Sequence, residues 1–140
     1  MGPWIIALPW SGAYALPPAN AALRTEAKTQ IALRWPQSSP EPAPRLERAL
    51  DGLVAHIAIG KIEFAEVSAE LAQLFGTADV VDGEARTWAV ALPPGHELDT
   101  STVPVPDWAR HLAVGTCRRL DPRRQTFYDL VLVVVAEEAR

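Results

Sequence analysis

The segment from Thr126 to Ala136 reads TFYDLVLVVVA and is the most apolar and most β-branched run in the chain. Valine loses side-chain freedom in a helix and packs well on a pleated surface, so this composition predicts a β-strand. Beyond Asp129 both alternating faces of the strand are apolar, and each must be covered by other parts of the chain. We therefore expect this strand to lie in the centre of a sheet.

The residues before this strand predict its partner. An apolar run from Leu112 to Leu120 is followed by Asp121-Pro122, and Asp-Pro between polar neighbours is typical of a turn because proline fixes φ at the first central position. The sequence thus predicts a β-hairpin that pairs Leu112–Leu120 with the valine-rich strand. Its tip carries four arginines, which are Arg118, Arg119, Arg123 and Arg124.

The composition is that of an ordinary globular protein. The chain has 140 residues, of which 49% are hydrophobic and 21% charged, and this length predicts a single domain over residues 1–140. The proline-rich segment 36–44 is interpreted as a connector inside that domain, because the chain before it is too short to hold a core of its own.

Charge and cysteine content narrow the class of protein. A net charge of −4 argues against a protein that coats nucleic acid over its whole surface. A single cysteine, with no basic and apolar secretory signal at the start, favours the cytoplasm. No apolar run reaches the roughly 20 residues of a membrane-spanning helix, so we expect no membrane partner.

Two amphipathic helices are predicted in the middle of the chain. Segment 45–59 has apolar residues at the three-and-four spacing of one helix face, and Gly60 follows it as a C-terminal glycine. Segment 63–75 repeats the pattern and is expected to end at Gly76. Together they predict an αα-hairpin; the alternative interpretation is a pair of strands across 56–67.

Further strands are predicted outside the helices. Trp4–Leu8 is a short apolar run before a proline, and Thr29–Trp35 alternates apolar with polar residues. Thr87–Leu92 is a third candidate, joined to the residues before it by a hairpin turn at Asp82-Gly83. Residues 96–106 are polar and aperiodic, which predicts a surface loop. The predicted fold is α+β, with an antiparallel or mixed sheet of four to six strands and the αα-hairpin on one face.

The arginines of the hairpin tip form the first candidate binding site. Guanidinium groups bind phosphate or carboxylate with two parallel hydrogen bonds, so Arg118, Arg119, Arg123 and Arg124 predict an anion or nucleic-acid contact if they converge. The competing interpretation is a solvated tip whose charges keep the sheet edge soluble. No aromatic residue is interleaved with these arginines, which is unlike proteins that bind single strands.

Cysteine and histidine form the second candidate. Catalysis by Cys117 requires a thiolate and a nearby base, for which the sequence offers His96 and His111. On a regular strand His111 and Cys117 share a face but lie about 20 Å apart, too far for a hydrogen bond. A buried, inert thiol is the competing interpretation. The histidine and carboxylate spacings match no metal signature, and we expect neither a metal nor a cofactor.

Tryptophan is abundant, with five residues in this length. Trp10 and Trp108 lie beside proline or aspartate in loops, and we predict them as contact residues of a protein–protein surface. Trp35 and Trp88 lie within predicted strands and are expected in the core or at its rim.

Three functional hypotheses follow, and no motif identifies a family. The leading hypothesis is a non-catalytic protein–protein interaction or assembly subunit that binds another protein or a second copy of itself. The alternatives are nucleic-acid or phosphate-ligand binding through the arginine-rich tip, and a small enzyme that uses Cys117, His96 or His111.

Overall fold

A computed structural model of the chain describes residues 18–121 and 123–140. Within these ranges it contains three α-helices, one 3₁₀ turn and a three-stranded antiparallel sheet, and is therefore α+β. The elements are α1 (Pro18–Ala32), α2 (Pro44–Ala58), the 3₁₀ turn (Phe64–Glu66), α3 (Val67–Ala78), β1 (Val81–Leu92), β2 (His111–Asp121) and β3 (Thr126–Ala139).

The central position of the valine-rich strand is confirmed. The strand order is β1-β3-β2, and β3 pairs antiparallel with both neighbours. The predicted hairpin is also confirmed, with Leu112 opposite Val135 near its base and Leu120 opposite Phe127 near its tip.

Alternation along β3 produces two separate cores. Its even-numbered residues Leu130, Leu132 and Val134 are buried in a cluster with side chains of α2 and α3. The odd-numbered residues of the same stretch are buried in a second cluster, with α1 and the loop between β1 and β2. The sheet is therefore covered on both faces, as the two apolar faces of this strand require.

Helix α2 agrees with the predicted helix, whereas α3 differs at its end. Pro44 occupies the first turn of α2, where the amide that proline lacks would have no partner inside the helix. Helix α3 continues through Gly76 and ends at Ala78, and Asp79 caps it in a left-handed conformation with φ of 51°. The predicted stop at Gly76 is therefore wrong, and so is the alternative pair of strands across 56–67.

The predicted strand Thr29–Trp35 is wrong, because most of it belongs to α1 and the rest to the turn that follows. Ala27, Ile31 and Trp35 are all buried in the second core, and this spacing of four is that of a helix face. Leu33 is 82% exposed. A strand would have placed it on the same face as Ile31 and Trp35, so the exposure of Leu33 excludes the alternating pattern.

Strand β1 is continuous and longer than predicted. Asp82-Gly83 does not close a hairpin; instead the pairing register with β3 shifts between Asp82 and Ala85. Gly83 has φ of +73°, a conformation that glycine adopts easily, and such a residue lets a strand bulge without ending. The described residues thus contain three strands rather than four to six, and the predicted strand Trp4–Leu8 lies outside them.

The loop between β1 and β2 has no regular structure, as predicted, but it packs onto α1. Thr100 donates to Gln30 Oε1 through its hydroxyl group at 2.8 Å. Arg34 donates to the carbonyl oxygens of Thr100 and Val103 at 2.6 and 3.1 Å. Buried residues of the loop, Leu98 and Val103 among them, complete the second core. None of the helices in the described part of the chain is long and apolar enough to cross a membrane.

Candidate functional site

The tip of the β2–β3 hairpin is ordered by one carboxylate. Asp121 Oδ1 accepts the backbone N–H groups of Arg123 and Arg124 at 3.0 and 3.4 Å. The Asp121 carbonyl oxygen accepts the N–H group of Gln125 at 2.8 Å. An aspartate that binds the backbone ahead of it is the turn chemistry that the sequence predicts.

Arg118 is bound across the hairpin rather than directed at a ligand. It lies opposite Asp129 in the pairing register, and its Nε and Nη2 donate to the two carboxylate oxygens at 3.1 and 3.4 Å. A two-point contact of this kind uses the fork of donors by which arginine would otherwise recognise a ligand carboxylate or phosphate.

Arg119 points to the opposite face of the sheet and is also bound. Its Nη1 donates to the carbonyl oxygen of Ile62 at 3.0 Å, and Nη2 lies 2.9 and 2.8 Å from the carboxylate oxygens of Glu63. The hydrogen bond to Glu63 raises the pKa of the Arg119 guanidinium, which stays charged. Arg119 therefore ties the hairpin to the segment that leads into α3.

The structure does not bring the four predicted arginines to one point. Arg118 and Arg119 occupy opposite faces and each binds a carboxylate, whereas Arg123 and Arg124 lie exposed at the turn. The side chain of Arg124 makes a long contact, 3.9 Å, with the side chain of Asp121. The pair Arg123 and Arg124 is thus the part of the predicted site that faces solvent.

Sequence reasoning missed an apolar pair beside these two arginines. Leu120 and Phe127 lie opposite each other in the register, and they are 42% and 54% exposed. Both lie on the face of the sheet that α1 covers further along the strands, since Phe127 is odd-numbered in β3 like the residues of the second core. The predicted strand ends would place Leu120 opposite Thr126; the structure extends β2 to Asp121, which pairs with Thr126 and brings Leu120 opposite Phe127.

The cysteine and the histidines are not assembled into a catalytic group. Cys117 is buried under α2, and burial raises the pKa of its thiol to about 11, so it is protonated at neutral pH. His111 lies at the other end of β2, with Nδ1 3.3 Å from the carbonyl oxygen of Glu41. His96 is exposed, with Nδ1 3.4 Å from the carbonyl oxygen of Pro94.

The predicted tryptophans divide between core and surface. Trp108 is half-buried, and the guanidinium of Arg86 lies 5.3 Å from the centre of its ring, a cation–π arrangement. Trp88 donates from Nε1 to the hydroxyl oxygen of Thr102 at 3.1 Å. Trp35 is buried, and its Nε1–H group has no partner in the part of the chain that is described. Trp10 lies outside the described residues.

A cavity of about 500 Å³ lies between α1 and the proline-rich connector. Its lining includes Lys28 and Glu47, whose charged groups are bonded to each other. The cavity therefore offers no free charge from this pair. Among residues 18–121 and 123–140, no three histidine, cysteine or acidic side chains lie close enough to hold a metal ion.

Comparison with known proteins assigns no family: no family model, no curated protein and no solved structure matches the chain.

Proposed function

We propose that the chain is a non-catalytic subunit that binds another protein through its hairpin tip. Leu120 and Phe127 form the apolar centre of the contact, and Arg123 and Arg124 form its charged rim. The observation that carries the proposal is the exposed cross-strand pair Leu120–Phe127 beside two solvent-facing arginines. A partner of matching chemistry presents an apolar recess bordered by carboxylates.

The apolar pair supplies affinity at small entropic cost. Full burial of a large apolar side chain contributes about 1.5–3 kcal/mol, so burying the exposed half of Phe127 contributes about 1 kcal/mol and Leu120 somewhat less. Both residues stand on paired strands, so little backbone freedom is lost on binding. A centre of one aromatic and one aliphatic residue is typical of the few anchors that dominate protein interfaces.

The two arginines orient the partner protein and raise the rate at which it associates. Asp121 is the nearest acid in sequence, and one of its carboxylate oxygens already accepts two backbone N–H groups of the turn. Its other oxygen lies 3.9 Å from Arg124 Nε, so this one carboxylate offsets only one of the two exposed arginines, and the turn remains positive on a chain whose net charge is −4. Exposed charges of this kind speed the encounter with an acidic partner, and the effect weakens with added salt.

Photocross-linking tests the proposal in the cells that produce the protein. A p-benzoylphenylalanine in place of Phe127 is expected to give a discrete protein adduct, and the matched control carries it in place of Leu33, which is also exposed. The adduct at position 127 should disappear when Arg123 and Arg124 are both changed to glutamate. Equal labelling from both positions, or an adduct that survives the charge reversal, would contradict binding through the tip.

Binding of single-stranded nucleic acid is the second candidate, because the fold places Phe127 near the arginines. Stacking on an aromatic ring beside a basic group is how many such proteins hold a base. Two phosphate contacts, by Arg123 and Arg124, predict that the logarithm of affinity for a short oligonucleotide falls with that of salt concentration at a slope of about −1.4. A flat salt response, or an unchanged affinity in Phe127→Ala, would remove this alternative.

A further inference from the structure

The two edges of the sheet are built differently. Helices α1 and α2 lie on opposite faces and both contact β2. They also bind each other directly, since Arg24 and Lys28 of α1 form ion pairs with Glu47 of α2. Because the sheet separates the two helices, these contacts pass around the outer side of β2. The first part of the β2 edge is therefore covered by these charged side chains, and Glu41 of the connector also forms a β-bridge with His111 there.

The β1 edge is protected over only half its length. Its first half carries Asp82, Glu84 and Arg86 and contains the bulge at Gly83. Charge and bulges are the devices by which native sheets prevent edge pairing. The second half, Thr87–Leu92, reads TWAVAL, has no charge and lacks a partner strand on its outer side in the described part of the chain. We call this second half the open edge.

We infer that the open edge pairs antiparallel with the open edge of a second copy of this chain, and that a six-stranded sheet runs through the dimer. A two-fold axis perpendicular to the sheet keeps equivalent faces on the same side. Each residue then lies opposite a residue of the same parity. With the axis at Ala89, Trp88 lies opposite Val90 of the second copy, and Thr87 opposite its Ala91.

The sequence of β1 favours this register. It pairs all of Arg86–Leu92, and the acidic residues and the bulge lie beyond the pairing. Moving the axis to Val90 shortens the pairing, because Pro93 has no amide to donate. Moving it to Trp88 draws Glu84 into the pairing, and Glu84 lies within the bulge, where the register of β1 is irregular.

A second copy suits this edge because the strand is complementary to itself. On one face the half-buried Trp88 and Val90 lie opposite Val90 and Trp88 of the other copy, and Leu92 lies opposite Arg86 at each end of the pairing. On the opposite face the exposed residues Thr87 and Ala91 are small, so nothing there keeps the two strands apart. Arg86 is the one charged residue within the pairing, and its guanidinium is bound to Glu84 of its own chain at 3.2 Å.

The size of the contact sets its strength. The paired region is about 20 Å long, and a single strand pair buries less than the roughly 1,200 Å² at which stable interfaces begin. Arg86 and Trp108, stacked beside this edge, extend the rim of the contact. We therefore expect a dimer that forms and dissociates with protein concentration.

Sedimentation velocity of the full chain over a range of concentrations tests the inference. Two double variants change the same exposed positions and differ in one charge: Thr87→Lys with Ala91→Lys, and Thr87→Lys with Ala91→Glu. In the proposed register the first places like charges opposite each other and the second places opposite charges there. The lysine pair should weaken dimerisation about tenfold, and the lysine–glutamate pair should preserve it or strengthen it.

Each other result overturns the inference. Equal effects of the two double variants, or no effect of either, would show that a dimer forms through another surface or register. A chain that stays monomeric while its β1 amides resist hydrogen exchange would show that the edge is covered within one molecule. The tip variant Arg123→Glu with Arg124→Glu is a control and should dimerise like the wild type. It separates the dimer contact of the open edge from the partner contact proposed for the hairpin tip.

Discussion

Replacing Gly115 with alanine tests how closely α2 is seated on the sheet. A Cβ atom at this position would lie 3.0 Å from Val54 Cγ1 and 3.1 Å from Leu50 Cγ. Ordinary contacts between carbon atoms are about 3.5–4.0 Å, so α2 or its side chains must retreat. Overpacking of this kind costs about 1–3 kcal/mol. Alanine loses less backbone entropy than glycine when the chain folds, and this offsets about 0.5–1 kcal/mol of that cost.

The two ranges together give a net loss between about 0 and 2.5 kcal/mol for Gly115→Ala, and we expect a loss of about 1 kcal/mol in the free energy of unfolding. In urea denaturation followed by circular dichroism, this lowers the midpoint by about 0.5–1 M. Gly52→Ala is the matched control, because Gly52 lies in α2 with no atom within 4 Å of the added Cβ. That change should stabilise the protein by about 0.5–1 kcal/mol through helix propensity alone.

The opposite signs of the two changes make the result decisive. A Gly115→Ala variant that stabilises the protein as much as Gly52→Ala would refute the close approach of α2 to β2. The double variant Gly115→Ala with Val54→Ala adds a further check, since removing the Val54 methyl groups makes room for the new Cβ. Its destabilisation should be smaller than the sum of the two single changes.

Three further predictions concern Cys117, Arg119 and Gly83. Folding raises the pKa of Cys117 from 9.0 to about 11, so the unfolded chain loses this proton first as the pH rises. The free energy of unfolding should therefore fall by up to about 3 kcal/mol between about pH 9 and 11. Urea titrations at each pH should show a smaller fall for Cys117→Ala. Arg119→Ala removes the donors to Ile62 and Glu63 and should lower the stability measured by thermal unfolding by about 1–2 kcal/mol. Arg124→Ala at the exposed turn is the control and should change stability by less than about 0.5 kcal/mol. Equal losses would contradict the hydrogen bonds of Arg119. Gly83→Ala forces a positive φ on alanine and places its Cβ 2.5 Å from Glu137 Oε1, so it should lower the free energy of unfolding by about 1–2 kcal/mol. An unchanged midpoint in urea denaturation would argue against the bulge in β1.

The parts of the fold that the sequence predicted are those with a strong and unambiguous local pattern. The valine-rich strand has apolar residues on both faces, and burial on both faces puts it in the middle of a sheet. Helix α2 has five buried apolar residues at helical spacing, beginning at Leu46, and a proline at its start. The hairpin depended on the Asp-Pro turn, where Asp121 does bind the backbone that follows.

The errors arose where one short pattern fits two structures. Ile31, Leu33 and Trp35 alternate as in a strand, yet Ala27, Ile31 and Trp35 also follow helical spacing, and the loop that packs over α1 decides between them. Asp82-Gly83 is a turn signal in a hairpin and a bulge signal in a continuous strand; β3 extends far enough to pair on both sides of the bulge.

The candidate site was predicted in part. The position of the arginine-bearing tip along the chain was predicted correctly. The sequence did not predict that Arg118 and Arg119 bind carboxylates elsewhere in the chain. Asp129 lies opposite Arg118 because the strands pair one residue further into the turn than predicted, and Glu63 is brought near Arg119 by the packing of the segment before α3. The exposure of Phe127 could not be predicted because it depends on where α1 stops covering the sheet.

The alternation along β3 has a consequence for how the protein can change. Leu132 and Val133 are neighbours in sequence, yet their side chains belong to different clusters separated by the backbone of the sheet. Volume lost beneath α2 can be regained by another residue of that layer while the layer beneath α1 stays as it is. A short chain divided in this way offers two small packing problems that evolution or protein engineering can solve separately.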